Sequence, residues 1–308
     1  MSTIEFRENN QMNHLRKLLI IFISIIFVSC MRKETGKPIF IASDFPVKMI
    51  LQEITGNPAD VGVLLPPGAS PHTFAPNPSD IVNSESAKAL FYVSDNLDGW
   101  AARLHSKTNI ELIKLLPKEF ILTFDEPKGF GLGMTGNNAN VTDPHFWTDP
   151  LAVKALVPNL TETLCRLDST NAQKYRNNAK IFEERLDMLD RQVRTMTANI
   201  KGKYLFLFHP SFRYFARRYG LIYGGSVEID PGIEPPARYA ENLMEKIKKS
   251  GTKALFTEPQ FPKIPAKVIA QSLVLKLYQL DPIGGTAGRE YYLDLIVHNA
   301  LVLKEALE

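Results

Sequence analysis

His72, His145, His209 and Asp281 are spaced almost evenly along the 308-residue chain, and each stands where an apolar run meets a turn or a helix start. Imidazole nitrogen and carboxylate oxygen are both metal donors, yet none of the four belongs to a close-spaced zinc motif. Two fall in each half of the chain. A site made from them has to assemble across a cleft between two lobes, and a metal held there would also hold the lobes together. That chemistry suits capture and release better than structural stapling or catalysis.

Their local settings sharpen this. In open α/β sheets, ligands bind beyond the carboxyl ends of the strands. His209 directly follows an apolar strand read over residues 204–208, Asp281 follows one at 277–280, and His72 lies in the Pro/Gly/Ser loop after one at 61–65. His145 sits just ahead of a helix start, where the dipole disfavours imidazolium and keeps the ring able to ligate. Glu258, after a strand at 254–257, is at the same kind of edge and is a candidate to orient a histidine, or else a solvated or capping carboxylate. Each residue also has a plain reading. His72 can be a solvated loop residue, His145 an aromatic packed beside Trp147, His209 a buried strand-end histidine with a partner, and Asp281 a turn former before Pro282. Spacing alone leaves these alternatives open.

The elements that must position the four residues follow from hydropathy. Short apolar runs at 38–42, 61–65, 90–93 and 110–115 alternate with helical patterns at 47–55, 79–90, 97–104 and 150–167, with a Gly/Asn-rich loop at 124–142. The alternation restarts with strands at 204–208, 221–229, 254–257 and 277–280 and helices at 211–219, 236–249, 265–275 and 291–307. Between the two sets, Asp168-Ser169-Thr170 caps the longest helical pattern, from 171 to about 200, with apolar residues at Tyr175, Ala179, Phe182, Leu186, Leu189 and Val193. At 1.5 Å per residue such a helix reaches roughly 45 Å, more than one small lobe needs. The expected fold class is therefore α/β: two parallel-sheet lobes, 38–167 and 201–308, joined by one long rigid linker helix at 168–200, with the site in the cleft between them.

Composition narrows the function. A formal net charge of +3 with basic residues scattered among acids leaves no footprint for nucleic acid. Arg16-Lys17 precede an apolar run at 18–28 that is too short to span a bilayer, which takes about 20 residues, and reads as a signal-peptide core. Ser29-Cys30 then resembles the lipobox of bacterial lipoproteins, in which the cysteine becomes the acylated first residue, although Phe27 departs from the usual aliphatic residue there. An ordinary secretory signal containing a cysteine is the alternative. Residues 1–30 are thus expected to be a signal peptide and 31–37 a tether, with Met12 a more natural start than Met1. Only Cys165 remains after Cys30, so the exported chain has no intramolecular disulfide to lean on.

The words around the four residues carry a resemblance. Pro66-Pro67-Gly68-Ala69-Ser70-Pro71-His72-Thr73-Phe74, Asp143-Pro144-His145-Phe146-Trp147-Thr148-Asp149-Pro150, His209-Pro210-Ser211-Phe212-Arg213-Tyr214-Phe215 and Leu280-Asp281-Pro282-Ile283-Gly284 closely resemble the substrate-binding lipoproteins of bacterial zinc and manganese ABC importers, over about residues 38–307. The resemblance implies metal ligands at His72, His145, His209 and Asp281, a membrane permease as partner, a monomer, and a lipid-anchored protein facing the periplasm or cell exterior. Manganese members usually carry Glu where this chain has His209, and three imidazoles with one carboxylate suit four-coordinate Zn²⁺, with Mn²⁺ or Fe²⁺ as alternatives. Many zinc members carry a His/Asp/Glu-rich loop between the first two ligands, and here 124–142 holds no histidine. A closed four-ligand shell implies no turnover. A zinc hydrolase would need an open position and a His-Glu-x-x-His or equivalent, which is absent. An adhesin-like surface lipoprotein with incidental metal binding is the remaining rival.

Overall fold

Strands too short to stand alone are sheltered here on both faces, and the same arrangement occurs twice. The computed structural model describes residues 38–124, 141–228 and 235–308. The expectations for the signal peptide, Cys30, the tether and most of the 124–142 loop lie outside these residues. β1 (Phe40–Ala42), β2 (Val61–Val63), β3 (Ala89–Tyr92) and β4 (Asn109–Glu111) form a parallel sheet of order β2-β1-β3-β4. β7 (Tyr204–Leu207), β8 (Ile222–Ser226), β9 (Ala254–Thr257) and β10 (Lys276–Gln279) form a second parallel sheet of order β10-β9-β7-β8. Taken in chain order the two are the same winding: the first strand lies between the second and the third. β5 (Thr123–Phe124) and β6 (Val141–Thr142) make a small antiparallel pair.

Local chemistry sets the helix ends. α1 (Phe45–Thr55) starts at Asp44, whose Oδ1 accepts the Val47 N–H at 3.0 Å, and stops at Gly56 with φ 69°. α2 (Pro78–Ser86) starts with a capping box between Asn77 and Asp80. α4 (Pro150–Leu167) begins with a proline behind the cap Asp149. α5 (Ala172–Met196) is the long helix, and the six apolar residues read from its sequence are all buried. α6 (Arg213–Tyr219), α7 (Ala237–Ser250), α8 (Lys263–Ser272) and α9 (Tyr292–Leu307) follow the strands of the second sheet. Among the described residues, no helix is long and apolar enough to cross a membrane.

The helices expected over 79–90 and 265–275 end early, at Ser86 and Ser272, with Ala89 and Leu90 already in β3, and two further elements differ more. The helix expected over 97–104 is α3 (Asp95–Asp98) followed by a 3₁₀ turn at Ala101–Arg103. Asp98 folds back to accept the N–H groups of Val93 and Ser94, both at 2.9 Å, and the Trp100 indole donates to the Pro71 carbonyl at 2.8 Å. These bonds to other parts of the fold override the local periodicity. The strand expected over 110–115 stops at Glu111, because the chain turns to bury Leu112 and Ile113.

Strand alternation divides the core. Phe40, Ala42 and Phe91 from the first sheet and Leu205, Leu207 and Phe256 from the second point into one continuous apolar cluster filled by α1, α4, α5 and α9. The alternate residues, Ile41 and Leu90 on one side and Phe206, Phe208 and Leu255 on the other, face separate outer clusters. α5 packs on α4, α1 and α9, so it braces elements from both sheets.

The switch point of the first sheet, between β1 and β3, holds two fully buried carboxyls, Asp44 and Asp98. Burial lifts Asp98 to about 6; burial, then the neighbouring Asp98 charge, lifts Asp44 well above the carboxylate range. Groups raised in this way favour the protonated folded state, so their contribution to stability is lost as pH rises from about 4 through the folded values. The Oδ2 atom of Asp44 has no hydrogen-bond partner, and asparagine there keeps the helix cap while removing the need to bind a proton on burial. Asp44→Asn is therefore expected to be more stable than wild type by about 1–2 kcal/mol at pH 7. The gap should shrink towards pH 4, as read from urea midpoints across that range. A constant gap would show that proton uptake by Asp44 is not what the substitution removes.

Candidate metal centre

Three histidines reach one point from three different supports. Beyond β2 the ladder continues through Leu64 and Leu65, which donate to the carbonyls of Ala42 and Ser43. The chain then turns through 66–73, and the Trp100 indole holds the Pro71 carbonyl next to His72. His145 is the cap of the 3₁₀ turn Phe146–Thr148 that leads into α4. His209 follows Phe208, whose N–H donates to the Phe256 carbonyl and carries the ladder one residue past β7. Phe261 covers the His209 ring, centroid to centroid at 5.3 Å.

One ring nitrogen from each of His72, His145 and His209 lies within 4.8 Å of the other two. The Nε2 atoms of His145 and His209 are 3.2 Å apart. Two nitrogens bound tetrahedrally at 2.0–2.1 Å to one zinc ion lie about 3.3 Å apart, so this pair already has the edge length of a zinc polyhedron. His145 and His209 are buried; His72 is partly exposed at its edge, but its Nε2 is buried and has no hydrogen-bond partner. Burial, and then His145, push His72 down to about 3, while burial followed by the charges of His145 and His72 pushes His209 well below the ordinary histidine value. Both rings are therefore neutral near pH 7, with lone pairs available to a cation. Three imidazole nitrogens converging in one pocket are a borderline-soft donor set that fits zinc.

Asp143, a carboxylate that hydropathy and strand edges did not single out, orients one of the rings. It is fully buried, its Oδ1 contacts His145 Nδ1 at 2.8 Å, and its Oδ2 pairs with Arg213 Nη1 at 3.2 Å. With Nδ1–H given to Asp143, His145 presents Nε2 as an acceptor towards the cluster. The available signal was the local word Asp143-Pro144-His145, a carboxylate two residues before a histidine. The surrounding segment is fastened to the second sheet's elements. The Tyr214 hydroxyl donates to the Asp143 carbonyl, Arg218 grips Asp149 with two bonds of 2.7 Å, the Trp147 indole donates to the Pro282 carbonyl, and the Tyr292 hydroxyl donates to the Trp147 carbonyl.

The other two expected residues sit differently. Asp281 is buried at the end of β10 but is not part of the three-histidine cluster. Its Oδ1 accepts the N–H groups of Ile283 and Gly284 at 3.0 and 2.9 Å, and its Oδ2 lies 3.1 Å from Arg289 Nε. Glu258 is buried between the second-sheet strands and accepts the Ser211 hydroxyl at 2.6 Å, with burial raising it to about 8. Its recorded partner is a serine two residues beyond His209, whereas the carboxylate on a histidine ring is Asp143.

Residues 41–306 match the family described as zinc-uptake complex component A, periplasmic. The chain is 34% identical over 167 residues to the high-affinity zinc uptake system protein ZnuA of Brucella abortus, a match covering 54% of this chain and 50% of that one. It thus spans about half the length of the curated relatives it matches. The laminin-binding protein Lmb of Streptococcus agalactiae, described as bifunctional with adhesin and metal transporting activity, superimposes with a TM-score of 0.73 at 28% identity, over 87% of this chain and 98% of that one. A Zn(II)-bound variant of AdcAII from Streptococcus pneumoniae gives a TM-score of 0.74 at 26% identity, over 89% of this chain and 100% of that one.

A histidine whose folded value is depressed binds its proton more readily when unfolded, so stability falls with pH below about 6.5. For His72 this continues down to about 3. His72→Gln in metal-free protein should gain stability relative to wild type as pH drops through that window. Thermal melts at pH 7 and pH 5 test this, and parallel losses in both proteins would contradict it.

Proposed function

The chain belongs to the family of the periplasmic zinc-uptake complex component A, and from that membership we propose that it captures Zn²⁺ outside the cytoplasm and delivers it to the membrane permease of an ABC importer. The observation that carries this is the convergence of three imidazoles with a 3.2 Å Nε2–Nε2 edge. The zinc ion is cargo and not a cofactor. His72, His145 and His209 hold it, and Asp281 supplies the fourth ligand from the end of β10. No position is left for an activated water, so the protein carries the ion and does not turn over a substrate.

The rest of the reading follows from the sequence. Acylation of Cys30 tethers the protein to the membrane through residues 31–37, and the protein works as a monomer. Residues 38–167 and 201–308 act as the two lobes on either side of the 168–200 linker. The shared apolar core favours small rearrangements of the loops at the sheet edges over wide opening.

Chelator competition on the purified protein tests the capture step. Wild type should bind one zinc ion per chain. Removing a direct ligand, as in His209→Ala, should cost more than the about 100-fold typical of an outer contact, and Asp143→Asn should cost about 10- to 100-fold. Equal zinc affinity in wild type and His209→Ala would overturn the assignment. The anchor has its own test: Cys30→Ala should move the protein from the membrane fraction to the soluble one, and retention in the membrane fraction would refute acylation at this residue.

A further inference from the structure

The environment of Asp281 is built around a second cation, one that belongs to the protein. Oδ1 is saturated: besides the N–H groups of Ile283 and Gly284 it receives Gln260 Nε2 at 3.4 Å. Oδ2 is therefore the oxygen left for a metal, and 3.1 Å from it stands Arg289 Nε. Arg289 is itself firmly held. Its Nε and Nη2 reach Thr286 Oγ1 at 3.1 and 2.8 Å, and its Nη1 lies 3.1 Å from His298 Nε2. Burial, and then Arg289, lower His298, which keeps that ring a neutral acceptor. The loop closes on itself through Gly285 N–H to the Arg289 carbonyl and Arg289 N–H to the Thr286 carbonyl, both at 2.9 Å. Three glycines with φ between 71° and 78°, Gly284, Gly285 and Gly288, let it turn that tightly.

We propose that Arg289 is a specificity-determining residue: by pairing with Oδ2 of Asp281 it weakens the site's single oxygen donor and so biases the site towards zinc and against manganese. The inference rests on the zinc-capture reading above, with Asp281 as fourth ligand. A carboxylate oxygen shared with a guanidinium offers less charge to a metal than a free one. Zn²⁺ draws most of its affinity here from three imidazole nitrogens and loses little by this. Mn²⁺ favours oxygen donors and depends on the carboxylate far more.

The test measures Zn²⁺ and Mn²⁺ dissociation constants of the full chain by chelator competition, in wild type and in Arg289→Gln. The expected result is a fall of about tenfold in the Mn²⁺/Zn²⁺ ratio of Kd, carried by tighter manganese binding, which is the scale on which outer contacts tune a metal site. In an Asp281→Asn background the same substitution should leave the ratio unmoved, a distinction that a merely structural arginine would not make. Thr286→Val, which loosens the grip on Arg289 without removing its charge, should shift the ratio in the same direction by a smaller factor and serves if Arg289→Gln does not fold. An unchanged ratio, or equal losses for both metals, overturns the proposal while leaving zinc capture intact. Failure of wild type to bind zinc at all takes down both readings.

Discussion

Two imidazole nitrogens 3.2 Å apart, with a third ring beside them, share a buried space that disfavours an added positive charge on His72 or His209. An added proton on His72 or His209 would cost lost hydration first and then repulsion from the neighbouring imidazoles. The fold keeps all of this in check at once. Burial depresses His72 and His209, and Asp143 fixes which nitrogen of His145 carries its hydrogen. What remains is a set of ring nitrogens of which two, His72 Nε2 and His209 Nδ1, are buried with no hydrogen-bond partner. A divalent cation resolves that frustration, and the rest of the molecule can be understood as the support that keeps it in place.

That support is a repeated winding. In both sheets the first strand is flanked by the second and third, so each has a switch point where strand order reverses and the carboxyl ends leave a crevice. In the second sheet the switch point carries His209 and Glu258, and in the first it carries Asp44 and Asp98. Both crevices contain carboxyls that burial keeps protonated beyond their usual range. Only the second presents an imidazole, and the first sheet contributes its histidine from the neighbouring β2 loop.

Much of this was legible from residue order. The two sets of four strands, the long braced helix and the strand-end positions of His209 and Asp281 follow from hydropathy period and turn chemistry, because parallel strands are apolar on both faces and their ends are punctuated by polar residues. What was not legible depended on contacts between distant segments. The 97–104 helix gave way because Asp98 and Trp100 found partners at Val93, Ser94 and Pro71. Asp143 went unread because a carboxylate's role depends on which ring it meets, and here that meeting is secured by Arg213, seventy residues away. Asp281 read as one more donor, and no local pattern marks Arg289 as the residue it would pair with.

The segment bearing His145 belongs by chain order with the first sheet, yet Tyr214, Arg218, Pro282 and Tyr292 hold it from elements of the second. Chain order and architecture therefore disagree about where the molecule divides. Cutting the gene between the two strand sets would leave the first fragment with a histidine that has lost its mounting and the second with a mounting that has lost its histidine. The protein is two windings by strand order but indivisible as a working part, and the stretch from 143 to 150 is the stitch that makes it so.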